Sequence, residues 1–229
     1  MRIKLLIFIC LLGFFSFPSL GQDDRVDRLG IGLGPAKMYG DNTGVHSQFK
    51  FKVLPSVTVD YSKKLETHFD VKATAGWQMV NSGDFYSTEQ IDVIAESNLP
   101  HAFSGNVFFA DVMPIYHINP NESGYLPSLI KVYTGLGLGY FYSQRTDERL
   151  ILGDPRRRTE TYPASDSGIY IPVRLGIYKD LKSDADIGLE ATLMISPFSE
   201  MDGNDQQQKR FKSDMLMQLQ FYYRIFIGK

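Results

Sequence analysis

Cysteine is almost missing from this chain: one residue of 229, Cys10, is a cysteine. A lone thiol excludes a disulfide framework of the kind that holds many small exported domains together, and it excludes a cysteine-rich metal centre. Histidine is scarce too. His46, His68, His101 and His117 are spread along the chain with no metal-ligand spacing. No G-x-S-x-G elbow occurs, so the sequence offers no catalytic constellation, no cofactor motif and no metal site. Positive charge is not in excess, with a net charge of −2 at pH 7, which gives a nucleic-acid partner no support. After the first 21 residues no apolar run approaches the ~20 residues of a spanning helix. Any membrane crossing would have to be made by strands.

Those first residues have the layout of a secretory signal peptide. "MRIKLLIFICLLGFFSFPSLG" opens with Arg2 and Lys4, carries an apolar run from Leu5 to Phe15, and ends in small or turn-prone residues. Cleavage is expected after Gly21. Cys10 follows Phe8 and Ile9 inside the apolar run rather than small residues at its end, so lipidation is not expected. Residues 22–229 then form one domain of about 208 residues, a size that suits a single barrel or sandwich. Without Arg2 and Lys4 they hold 22 basic and 26 acidic residues.

What this domain does have is alternation. In "IYIPVRLGIY" (169–178), Ile169, Ile171, Val173, Leu175 and Ile177 share one face. In 187–195, Ile187, Leu189, Ala191, Leu193 and Ile195 do the same across a short turn. A helix does not keep a period of two this long. The same period marks strands at 29–33, 53–61, 69–79, 106–118, 132–141 and 215–227, eight in all, with no helical segment. Pro55, Pro114 and Pro172 fall inside strands and each removes a ladder donor, and a bulge is expected near Pro114. The connections run long and short in turn, with long ones at 37–51, 80–105, 144–166 and 198–210. An up-and-down antiparallel barrel with both chain ends on one side produces this alternation, as outer-membrane barrels do.

"VYTGLGLGYFYS" (132–143) and "LGIGLGPAK" (29–37) resemble phosphate loops only superficially. No helix follows either to meet a phosphate. Their glycines share one strand face and leave room inside a small barrel. The apolar faces are nearly free of charge, while the opposite faces collect Asp70, Lys72, Lys131, Arg174, Glu190 and Arg224. This pattern puts the apolar face against lipid and the polar face inside. Trp77, Tyr140 and Tyr142 would form one aromatic girdle, and Tyr61, Tyr222 and Tyr223 the other. A soluble barrel of opposite polarity is the alternative.

Two groups of residues stand out. Arg174 and Glu190 fall opposite or diagonal on the inner face, either as a gate or pore lining, or as an ion pair that makes a filled interior tolerable. Arg156, Arg157 and Arg158 would contact lipid phosphates, or would simply be a solvated loop. A lipid-modifying enzyme could use His68 or His101, although no partner residues support either.

With its strands placed, the domain resembles the small outer-membrane barrels of the OmpA/OmpX-like superfamily in the form common in Bacteroidetes. Within that group it is similar to PorG-like barrels, accessory proteins of type IX secretion. The matching stretches are "MYGD" (38–41), "YTGLGLGYF" and "IPVRLGIYKDL" followed by "IGLEATL". The resemblance implies an outer-membrane location with long loops extracellular and termini periplasmic. It also implies periplasmic secretion-ring subunits as partners, and no catalysis. A narrow channel is the alternative function.

Overall fold

A computed structural model describes residues 26–120, 128–153, 156–181, 184–197, 201–202, 211 and 213–227. The expected signal peptide lies outside these residues, as do the centre of the turn at 182–183 and most of the connections at 119–127 and 198–210.

The described chain is a ring of antiparallel strands: β1 Asp27–Tyr39, β2 Leu54–Lys64, β3 Phe69–Asn81, β4 Ala102–His117, β5 Lys131–Leu136, β6 Leu138–Leu150, β7 Thr159–Leu181, β8 Ala185–Ser196 and β9 Asp214–Ile227. Each of β1–β4 pairs with the next, β4 and β7 both pair with β5 and with β6, β7–β9 pair in turn, and β9 pairs back onto β1, so no edge is left open. β5 and β6 are two halves of one stave. Both keep the same register against β4 and against β7, and only Gly137 separates them. The barrel therefore has eight staves.

The interruption has a cause in the sequence. That constant register sets Gly137 opposite Pro172 on one side and Leu136 opposite Pro114 on the other. A proline has no amide hydrogen to give the ladder, and the one backbone bond at this point runs from Gly137 N to Pro172 O at 3.1 Å. The expected bulge at Pro114 does not form: β4 holds one register on β3 from Ser104 to Tyr116. The missing donors break the ladder without inserting a residue.

Following the pairs once around the ring leads from Leu29 through Tyr61, Ala73, Val112, Leu138, Ile171, Ile195 and Met215 back to β1 at Tyr39, ten residues further along. This stagger tilts the staves and closes the barrel.

Alternation sorts the side chains as expected. Leu29, Ile31, Val59, Leu138, Ile171, Leu219 and Phe221 point out and are exposed, while Asp60, Lys72, Arg174, Glu190 and Arg224 are buried inside. Tyr61, Tyr140, Tyr142 and Tyr223 face out, and Trp77 donates to Asn106 Oδ1 on the outer wall at 2.9 Å. Tyr222 does not join the girdle. As the strand neighbour of the outward Tyr223 it must point inward, where it is 1 % exposed.

Two expectations fall. A helix, α1 Thr88–Glu96, sits in the β3–β4 connection behind a capping box made by Ser87 and Gln90. The expected loop at 144–166 is largely a hairpin, because β6 and β7 extend well beyond the apolar belt and leave a connection of only 151–158.

Candidate functional site: the filled barrel interior

The inner face of a small barrel is where a pore, a ligand cavity or a catalytic group would sit. Here it is packed. The glycines make this possible by yielding volume to large neighbours. A Cβ on Gly139 would lie 2.3 Å from the Tyr170 ring, and one on Gly176 would lie 2.1 Å from the Tyr133 ring. The tyrosines fill the barrel because the strand facing them carries no side chain.

Their hydroxyls enter a charge network. Lys72 on β3 reaches across to Glu190 on β8, Nζ to Oε2 2.7 Å, and lies 3.6 Å from Asp60. Tyr133 OH also donates to Glu190. Arg174 Nη2 lies 2.8 Å from Asp111 Oδ2, which accepts from Tyr170 OH at 2.8 Å. Toward the short turns, Arg224 Nε meets Asp186 at 2.7 Å with Arg28 3.5 Å from the same carboxylate. His117 Nε2 is 2.7 Å from Asp70, and its Nδ1 is 3.2 Å from Tyr178 OH. Within this network each charge removed from water is met by an opposite one, the condition on which buried ions are tolerated.

Arg174 and Glu190 lie on one diagonal of the β7–β8 ladder, since Arg174 stands opposite Thr192 and Gly176 opposite Glu190. Arg174 Nε and Glu190 Oε1 are 3.3 Å apart. That contact is ionic and not an aligned hydrogen bond. The diagonal pair is one edge of a larger network, and its other members come from distant strands. The inward rows of β2 and β4 carry Asp60 and Asp111, but nothing local says which cation either would meet.

The loop end of the interior is different in kind. Met38, Phe103, Val107, Phe109, Phe141, Met194 and Leu216 form a buried apolar cluster with Val80, Tyr170 and Met201. The barrel is therefore charged at its middle and turn end and holds an apolar cluster toward its loop end. A void of about 10 Å³ beside Ser62, Asp70, His117 and Tyr133 is at the lower limit for one water. The Asp70–His117 pair resembles part of a catalytic relay, but an acyl group has no room to reach it.

The other candidate residues lie elsewhere. Arg157 is at the exposed tip of the β6–β7 hairpin and pairs with Asp92 of α1 at 2.7 Å, and Arg156 and Arg158 are exposed beside it. His68 Nδ1 is 2.9 Å from His117 O. His101 is partly buried ahead of β4, where loss of solvation lowers its pKa below 6.5. Among the described residues Asp41, Asp202 and Asp214 gather their carboxylates within 4.8 Å at the loop end, a cluster that the scattered sequence positions concealed.

No known family model matches the sequence, and no curated protein is similar to it at the sequence level. Solved structures do match. Neisserial surface protein A superposes with a TM-score of 0.52 at 10 % identity, over 88 % of this chain and 97 % of that one. Weaker likenesses are to Ail, the attachment invasion locus protein of Yersinia pestis (TM-score 0.43, 12 % identity, 87 % and 99 % covered), and to the outer membrane protein OprG of Pseudomonas aeruginosa (0.40, 10 %, 92 % and 100 %). With the closed ring, the outward apolar rows and the ten-residue stagger, the first of these likenesses fixes the architecture. The chain has the fold of the small eight-stranded outer-membrane β-barrels.

Proposed function

We propose that the protein is a non-enzymatic outer-membrane barrel that works through its outer surfaces, as a structural or partner-binding component of the cell envelope. The observation that carries this reading is the interior: charge-paired through its middle, apolar toward the loops and, among the described residues, without space for a substrate or a file of waters. A barrel that neither conducts nor encloses a ligand is left with its wall, its loops and its turns. The exposed apolar rows on every stave support placement in a bilayer, since water would not tolerate such a belt on a soluble monomer. In this reading the long connections face outward from the cell, and the short turns and both ends of the mature chain face the periplasm.

The finer proposal is an accessory role in type IX secretion with periplasmic ring subunits as partners. It is supported by the resemblance of "MYGD", "YTGLGLGYF" and "IPVRLGIYKDL" to PorG-like barrels. Light crosslinking of envelopes, extraction in mild detergent and identification of what co-purifies tests it. Recovery with a large periplasmic complex is expected, and the residues at 119–127 are then the place to mutate. Recovery of the barrel alone removes the secretion role and leaves the envelope role standing.

A further inference from the structure

Two recesses among the described residues of the outer wall differ in what surrounds them. The larger, about 590 Å³, lies over Ala73, Ala75 and Ala110, and none of its lining residues is cationic. The other, about 420 Å³, lies between β1 and β2 at the loop end of the apolar belt, lined by Leu33, Pro35, Val53, Pro55 and Val57. Pro35 and Pro55 stand directly opposite one another in the register. Neither has an amide hydrogen to bridge the strands, and each side chain is tied back to its own backbone, so the space between is left unfilled.

Immediately beyond this second recess the surface turns basic. The outward row of β1 runs Leu33, Pro35, Lys37, and the chain enters β2 as Lys50-Phe51-Lys52-Val53. Lys37 Nζ lies 4.2 Å from the centre of the Phe51 ring. Lys50 and Lys52 are exposed, and none of the three lysines pairs with a carboxylate among the described residues. Residues 43–59 contain no Asp or Glu at all, in a chain that is otherwise net acidic. Phe49, the most exposed large apolar side chain described at 85 %, projects beside them. An apolar slot that opens onto three ammonium groups without a carboxylate partner among the described residues, at the edge of a membrane belt, is complementary to an amphiphile with an anionic head.

We propose that this site binds one phosphate-bearing membrane lipid, with an acyl chain in the Pro35–Pro55 recess and the phosphate oxygens on Lys37, Lys50 and Lys52. The inference rests on the placement of the belt in a bilayer. It does not depend on the secretion role. Lysines at an anionic membrane surface each contribute about a five-fold gain in binding, so three together give about a hundredfold.

The test uses the full barrel in phosphatidylcholine nanodiscs doped with phosphatidic acid, with retained lipid counted by native mass spectrometry after extraction. Retention of phosphatidic acid over phosphatidylcholine is expected, falling about a hundredfold in K37Q/K50Q/K52Q. It should also fall in Pro55→Leu, which fills the recess, and stay unchanged in Ala110→Leu, which fills the one without cations. No preference in the wild type, or equal retention by the triple variant, overturns the proposal. So does displacement by inorganic phosphate as strong as by the lipid, because the chain then contributes nothing. Insertion is checked separately, by the change in electrophoretic mobility on heating. A barrel that fails to insert refutes the membrane placement, whereas one that inserts without preference refutes only this site.

Discussion

Glu190 is a point where three buried groups of the interior meet. Lys72, Tyr133 and Arg174 all converge on its carboxylate, so removing it leaves two buried cations to compete for Asp60 and Asp111. Breaking a buried pair on one side costs about 3–5 kcal/mol. Glu190→Leu is expected to lose that much in urea unfolding of the lipid-reconstituted barrel, and a loss below about 1 kcal/mol would mean that water or relaxation already screens the network. Gly176→Val attacks the same carboxylate indirectly, because a side chain there meets the Tyr133 ring and must push its hydroxyl off Glu190. Its unfolding midpoint should fall, and adding Tyr133→Phe should cost little more, since the bond is already gone. At this scale alternation revealed which residues point inward but not whom they meet. Lys72 and Glu190 are 118 positions apart, and their contact depends on closure and stagger, which no local window of sequence contains.

Among the elements, the staves within the belt were legible and their extensions were not. Residues 159–168, "TETYPASDSG", keep no consistent apolar face, and their inner face is only half-buried until Gly168, so the period that marks a strand vanishes where the bilayer ends. The helix was legible in principle. Ser87 followed three residues later by Gln90 is a capping box, but it sat in a stretch already given over to loop. Ser87→Ala should cost about 1 kcal/mol locally, visible as faster amide exchange over 88–96 with the barrel amides unchanged. The connection that carries α1 also ends on His101, whose pKa is lowered by burial. Its neutral form is the one the folded state prefers. The stability it contributes is therefore complete above its ordinary value of 6.5 and is lost as pH falls below it toward the lowered folded value. Protection of the amides over 82–101, after correction for the intrinsic pH dependence of exchange, should fall between pH 7.5 and 5.5, and His101→Gln should flatten that fall. An unchanged pH response in the variant would assign it to another group.

Across the whole molecule the two halves of the interior serve as independent closures. The charged half is wet chemistry held dry by pairing, and removing one ion leaves a polar site that water can enter. The apolar half, Phe103, Phe109, Phe141 and Met194 with their neighbours, has nothing to offer a file of waters or an ion. A channel therefore requires both to open. In planar bilayers the wild-type barrel is expected to be silent. Lys72→Ala/Glu190→Ala should be silent too, because the hydrocarbon cap is intact, and Phe109→Ala/Phe141→Ala should be silent because the ion pairs still span the lumen. Only the four changes together should admit current. Steady conductance from the wild type would overturn the closed reading and restore the pore. Conductance from either double variant alone would show that one half is the gate. The sequence could not have separated these cases. Its polar inward rows are compatible with a lined pore as well as with the filled interior usual for eight strands, and what decides between them is the size of the groups that meet across the ring once eight staves close with a stagger of ten.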